Sequence, residues 1–299
     1  MIKTVKFKHK SKIRLDKFLK LNFTILTQSY IEKNIRKKNI LVNNLKSSSN
    51  YLLNKNDVVK ILNFHPESYK NKVKYKKKII IKEKDLKLFK KSIIFENQNF
   101  IILNKWSGIS TQGGSKIKLS VDDIIKSISD EYRLVHRLDR ETSGLLIISK
   151  NYDYAKIFGK LFKENLITKN YVAICQGKPN LNESYVNLDI LDNKKNKKNK
   201  TSTYYKTLNY SHGFSQIFFQ PMTGKTHQLR IVSKNLSCPI VGDKLYNVDS
   251  KFKNEALKLN AHILKFKINK NYNFHSIIPK DFSNFIKKNR LKKFENLIY

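Results

Sequence analysis

The chain has 299 residues, and 61 Lys and Arg against 23 Asp and Glu leave a formal charge of +38. That length suits one large domain plus a small one, and the charge favours a polyanionic partner, nucleic acid foremost, although codon drift toward Lys, Asn and Ile would also raise it. Cys175 and Cys238 are too few for a disulfide scaffold or a cysteine-based zinc site, no apolar run approaches a membrane span, and the start lacks a signal segment, so a reducing cytoplasm is expected.

In chain order, residues 11–65 read as a module of their own. Leu15, Phe18 and Leu19, then Tyr30, Ile31 and Ile35, recur at helical spacing, with Thr27 or Ser29 able to cap the second helix. Residues 40–43 and 58–62 read as strands, separated by the Ser47-Ser48-Ser49-Asn50 turn cluster. The pattern of Arg14-Leu15-Asp16-Lys17-Phe18-Leu19, Ser29, Ile35-Arg36-Lys37-Lys38, Val42-Asn43 and Asp57-Val58-Val59 resembles the S4 RNA-binding domain. The resemblance implies that Arg14, Lys17, Lys33, Arg36 and Lys37 meet RNA phosphates; a solvated helix surface is the plain alternative.

Residues 66–91 are lysine-rich with little apolar periodicity and predict an extended, self-repelling linker. Residues 93–96 and 100–105 predict strands, and Asn104-Lys105-Trp106-Ser107-Gly108-Ile109 follows. Helices are predicted at 121–128 and 154–162, and strands at 171–174, 203–208 and 214–220. Residues 193–200 are low-complexity and predict a mobile, solvated loop, and residues 281–299 a basic tail. Strands mixed with few helices and no βαβ rhythm indicate an α+β chain. The expectation is a small S4-like α/β module, then a catalytic domain at 92–280 on a mixed, mainly antiparallel sheet.

The most informative stretch is His136-Arg137-Leu138-Asp139-Arg140-Glu141-Thr142-Ser143-Gly144, running into Leu145-Leu146-Ile147-Ile148. An acid between two arginines just before a strand is where a rigid sheet can hold a reactive carboxylate. H-R-L-D-x-x-T-S-G-L-L is similar to the signature of the RNA pseudouridine synthases, in the branch acting on the large ribosomal subunit. Pro221-Met222-Thr223-Gly224-Lys225-Thr226-His227-Gln228-Leu229-Arg230 resembles that branch's second motif. Pro239-Ile240-Val241-Gly242-Asp243 with Tyr246 resembles its third, and the Asn104 segment its opening N-K-P-x-G. Trp106 stands where that pattern has proline, Lys225 where arginine is usual, and Val232 and Asn260 where histidines occur.

The resemblance implies uridine isomerisation, in which the N1–C1′ bond is cleaved, the base turns and its C5 joins the sugar, with no cofactor and no metal. Asp139 is then the carboxylate, which attacks the sugar, attacks the base or removes a sugar proton. Arg230 is expected to grip Asp139 and keep it charged, and Tyr171 to stack on the uracil. Arg137 is expected to fill the gap left by the extruded base. Arg140 is assigned to phosphate, and His136 to the RNA-facing loop or simply to packing within it.

The expected partner is large-subunit ribosomal RNA or its assembly intermediates, with transfer RNA as the alternative; no membrane and no obligatory protein partner are expected of this monomer. Two other readings compete. A non-catalytic S4-type assembly factor would keep the RNA-binding module with a dead catalytic domain, which the intact Asp139, Tyr171 and Arg230 oppose. A glycosidase-like use of Asp139 with Glu141 would need opposed carboxylates, and residues two apart on a strand do not oppose each other.

Overall fold

The computed structural model describes residues 1–8, 12–23, 26–66, 81–114, 117–192 and 197–294. It divides into two units, Met1–Lys78 and Ile79–Tyr299. The first holds β1 (Lys3–Lys6), β2 (Ile13–Arg14), α1 (Leu15–Asn22), α2 (Gln28–Arg36), β3 (Ile40–Val42), β4 (Leu45–Lys46), β5 (Leu52–Leu53) and β6 (Val58–Ile61). Its sheet runs β1-β6-β3-β4, and β2 pairs with β5. Leu15, Phe18, Leu19, Ile31 and Ile35 turn one face of both helices onto Val42, Val59 and Ile61. Thr27 caps α2, accepting from the Tyr30 amide at 3.2 Å.

One boundary differs from expectation. The unit begins before residue 11, because Lys3–Lys6 pairs with Val58–Ile61 and Phe7 is wholly buried in this core. Lysines on both sides of Thr4 and Val5 hide the strand from a hydrophobicity reading.

The second unit holds α3 (Glu83–Lys91), β7 (Ile93–Glu96), β8 (Phe100–Lys105), α4 (Val121–Ile128), β9 (Arg133–Leu134), β10 (Ser143–Ser149) and α5 (Tyr152–Lys163). There follow β11 (Thr168–Gln176), β12 (Glu183–Asp192), β13 (Lys197–Ser211), β14 (Phe214–Pro221), α6 (Gln228–Asn235), β15 (Leu259–Lys267), β16 (Asn271–His275) and α7 (Lys280–Lys288). One large sheet runs β12-β13-β14-β11-β15-β10-β8-β7, with β16 on β15 and β9 on β10. Among its described ladders only β10 with β15 is parallel.

The centre of this sheet is covered on both faces, which is why its strands read as unbroken apolar runs. On β8 and β10, Ile101, Leu103, Leu146 and Ile148 face α4 through Ile124 and Ile125. The alternate residues Phe100, Ile102, Leu145 and Ile147 face Phe158 of α5. On β11, Ala173 and Cys175 meet Leu229 and Val232 of α6, while Val172 and Ile174 meet Phe282, Phe285 and Ile286 of α7. Val232, at the place of a motif histidine, is thus core, and both cysteines are free and buried.

Three further expectations are corrected. Of the predicted linker 66–91, residues 67–80 lie outside the described residues, and Glu83–Lys91 is helical, with acids in its first turn, lysines in its last and Phe89 buried. Residues 281–299 are not merely a tail, since α7, Leu291 and Phe294 complete a core cluster. In the predicted loop, residues 193–196 lie outside the described residues, but Lys197–Lys200 continue β13 in register with Asp189–Asp192.

Candidate active site

A cavity of about 370 Å³ opens in the second unit, lined by Arg137, Asp139, Lys169, Tyr171, His227 and Arg230 among others. Asp139 sits in the loop between β9 and β10, and the backbone of that loop is held residue by residue. The Thr111 hydroxyl donates to the Leu138 carbonyl at 2.7 Å and accepts from the Leu138 amide at 3.1 Å. The Thr142 amide donates to the Asp139 carbonyl at 3.2 Å, and the Ser107 hydroxyl to that of Glu141 at 2.8 Å.

The Arg140 carbonyl accepts from the Gly108 amide at 2.9 Å and from Lys105 Nζ at 3.2 Å. Lys105 is buried and donates also to the carbonyls of Trp106 and Ile109, at 3.1 and 3.0 Å. Burial lowers its pKa to about 7, against the pull of Glu141 and Asp139. Three carbonyls match the three N–H bonds of an ammonium, so the geometry favours the charged form more than burial alone suggests.

Below the loop, Gly144 has φ +107°, and a Cβ there would come within 2.3 Å of the Ala261 carbonyl oxygen. The motif glycine is what allows β10 and β15 to meet. Asn260, which stands where a motif histidine occurs, is buried beside it and donates to the Ser143 hydroxyl at 2.9 Å, while accepting from Ser276 at 2.5 Å.

The Asp139 side chain is 23% exposed, with His227 Nε2 3.9 Å from its carboxylate. Arg230 does not grip Asp139. Its Nε and one terminal nitrogen donate to the two oxygens of Asp243, at 2.7 and 2.6 Å. Asp243 is wholly buried and also accepts the Leu245 and Tyr246 amides. Burial opposes its ionisation, but the Arg230 hydrogen bonds and these amides outweigh it and hold the carboxyl below the ordinary range. Arg230 therefore contributes positive charge to the cavity from an ion pair made elsewhere. Its guanidinium carbon also lies 5.1 Å from the centre of the Tyr246 ring.

Tyr171 stands on β11 at a bulge in the ladder with β15, and packs against the cores on both sides. Burial, helped by Asp139, raises its pKa, so the hydroxyl stays protonated. Burial likewise depresses Lys169. His227, at the start of α6, is left-handed with φ +55° and shares a 3.1 Å hydrogen bond with the Tyr246 hydroxyl. Burial lowers its pKa, outweighing the opposite pull of Asp139.

His136 is taken up in structure: Nε2 accepts the Ile147 amide at 2.8 Å, the ring lies 4.7 Å from that of Phe162, and burial lowers its pKa to about 3. These contacts are the packing within the loop that the sequence allowed, and the residue also lines the cavity. Arg137 and Arg140 are exposed. Lys17, Lys33, Arg36 and Lys37 are exposed in the first unit, whereas Arg14 is bound to Asp16 through Nε at 3.1 Å and a terminal nitrogen at 2.7 Å.

Thr111, Lys169 and His227 were not among the expected site residues. His227 lay inside a motif that pointed to it, while nothing in sequence marks Thr111, which acts only through Leu138. Asp243 lay in the third motif, but its pairing was not legible.

A profile described as RNA pseudouridylate synthase matches residues 99–235. A ribosomal large subunit pseudouridine synthase C of Rickettsia felis is 39% identical, over 78% of this chain and 81% of that protein. A ribosomal large subunit pseudouridine synthase D of Borreliella burgdorferi is 32% identical, over 93% of this chain and 91% of that protein. Among solved structures, human RNA pseudouridylate synthase domain containing 4 superposes with a TM-score of 0.63 at 24% identity, covering 70% of this chain and 96% of that one. That likeness is one of fold.

Proposed function

Since the chain belongs to the RNA pseudouridylate synthase family, we propose that it isomerises chosen uridines of large-subunit ribosomal RNA to pseudouridine, with Asp139 as the reacting carboxylate. The observation that carries this reading is the fixed acid: Asp139 lines a cavity on a loop whose neighbouring carbonyls are all hydrogen-bonded. Such a carboxylate is in place before substrate arrives. Attack on the sugar, attack on the base and removal of a sugar proton all start from it.

A uridine in folded RNA reaches this cavity only by extrusion. Tyr171, neutral and beside the acid, is assigned to stack on the uracil and donate from its hydroxyl. Arg137, exposed at the cavity rim, takes the vacated place in the stack. Arg230, locked on Asp243, supplies positive potential at the acid without neutralising it. The large-subunit substrate is supported by the names of the relatives, and with such a substrate the reading assigns the work to the cytoplasm and to a monomer acting without an obligatory partner protein. The first unit is assigned as an S4-like RNA-binding module, reaching phosphates through Lys17, Lys33, Arg36 and Lys37.

RNA carrying tritium at uracil C5 provides the test, because the new bond expels that atom into water. Release from large-subunit RNA, naked or in subunits, is expected. Release from transfer RNA alone would move the substrate, and no release from either would overturn the enzyme reading. Asp139→Asn should lower release by about 10²- to 10⁴-fold with little change in melting temperature.

A further inference from the structure

A second cavity, about 430 Å³ in volume and within the usual range of ligand sites, lies in the same unit. Its lining includes Asp85, Trp106, Lys118 and Arg140. The fold does not account for this composition. Trp106 is only partly buried against the core and lines the cavity. The Arg140 side chain is 68% exposed. Its Nε donates to the Gly108 carbonyl at 2.9 Å and lies 3.5 Å from a Glu141 carboxylate oxygen, while its terminal nitrogens have no hydrogen-bond partner among the described residues. Asp85, in the first turn of α3, has no side-chain partner there either.

Asp139 lines the first cavity and Arg140 the second. Consecutive residues are about 3.8 Å apart at Cα, so the two cavities flank one loop, within reach of neighbouring nucleotides of one opened strand. An aromatic face, a guanidinium with free nitrogens and a half-buried carboxylate are the elements that receive a base, its phosphate and an exocyclic amine.

We propose that this cavity is a second base site, which seats a nucleotide adjacent to the target uridine, its base on Trp106 and its phosphate on Arg140. Asp85 accepts from the exocyclic amine, which favours adenine, guanine or cytosine over uracil. The site rests on the family's RNA chemistry, but not on which RNA is the substrate.

Trp106 is the single tryptophan of the chain, so its emission reports on this cavity. The full chain is titrated with a uridine-containing stem-loop of large-subunit RNA, then with stem-loops abasic at one or other neighbour of the target. The expected result is quenching by the intact RNA, with one abasic position abolishing it and weakening binding about five- to a hundredfold, as loss of one base–aromatic stack does. Trp106→Leu should weaken intact RNA by a similar factor and be indifferent to the abasic position, while Trp106→Phe keeps the discrimination.

Emission unchanged at saturating RNA, or an abasic position that costs Trp106→Leu as much as the parent chain, overturns the site. The abasic comparison on the unaltered chain needs no variant to fold. Tritium release in the same mixtures separates the two readings. Release without quenching removes the base site and leaves the reaction, whereas quenching without release does the reverse.

Discussion

Arg230 carries a consequence for stability as much as for chemistry. Its guanidinium is the charged partner of a carboxylate with no exposed surface, and removing one member of a buried pair leaves the other uncompensated. Arg230→Met should therefore destabilise the chain by about 3–5 kcal/mol, read as a fall in denaturant midpoint alongside the lost activity. His136 makes a pH prediction. Its folded pKa is about 3 against an ordinary 6.5, so the unfolded ring takes up a proton that the folded ring refuses. Stability is fully present above pH 6.5 and drains away as pH falls toward 3. His136→Gln should show a shallower loss of melting temperature across that window. Sequence brought Asp139, Tyr171 and Arg230 together through ordered motifs, and the cavity contains all three. It did not tell Arg230 which acid to take, because a guanidinium fits Asp139 and Asp243 equally well on paper and only packing chooses.

The strands were most legible where the sheet is covered on both faces, since residues 100–103 and 145–148 within them are apolar without interruption. Helices α3 and α7 were missed for the opposite reason: lysines outnumber the anchoring Leu86 and Phe89 in one and equal Phe282, Phe285 and Ile286 in the other. Three apolar positions at i, i+3 and i+4 are enough for a helix that has a core to meet. Gly144 is the element-scale weak point. Any side chain there meets the Ala261 backbone and demands a positive φ as well. Gly144→Ala should cost about 2–4 kcal/mol, measured by chemical denaturation. Loss of tritium release should follow even where the variant still folds, because the Asp139 loop springs from this strand.

For the whole molecule, the charge of +38 makes every affinity for RNA a function of salt. Replacing Lys17, Lys33, Arg36 and Lys37 with glutamine should flatten the plot of log affinity against log salt by about three units if all four meet phosphates. Tritium release at low salt should persist. An unchanged slope would show that the first unit's basic surface does not touch RNA. Charge pointed to the partner class from the outset, but it could not say which lysines serve structure. Lys105, the most deeply placed in the Asp139 loop's support, is invisible to any count.

The junction of β10 with β15 also sets when the protein becomes an enzyme. Ser143 and Asn260 bond across 117 positions of chain, and contacts so distant in sequence form late in folding. During synthesis the reactive loop emerges well before the strand that steadies it. A nascent chain halted short of β15 already holds the acid's loop through Lys105, Ser107 and Thr111 but lacks the strand that meets Ser143 and Gly144, so competence waits for residues near the end of the chain.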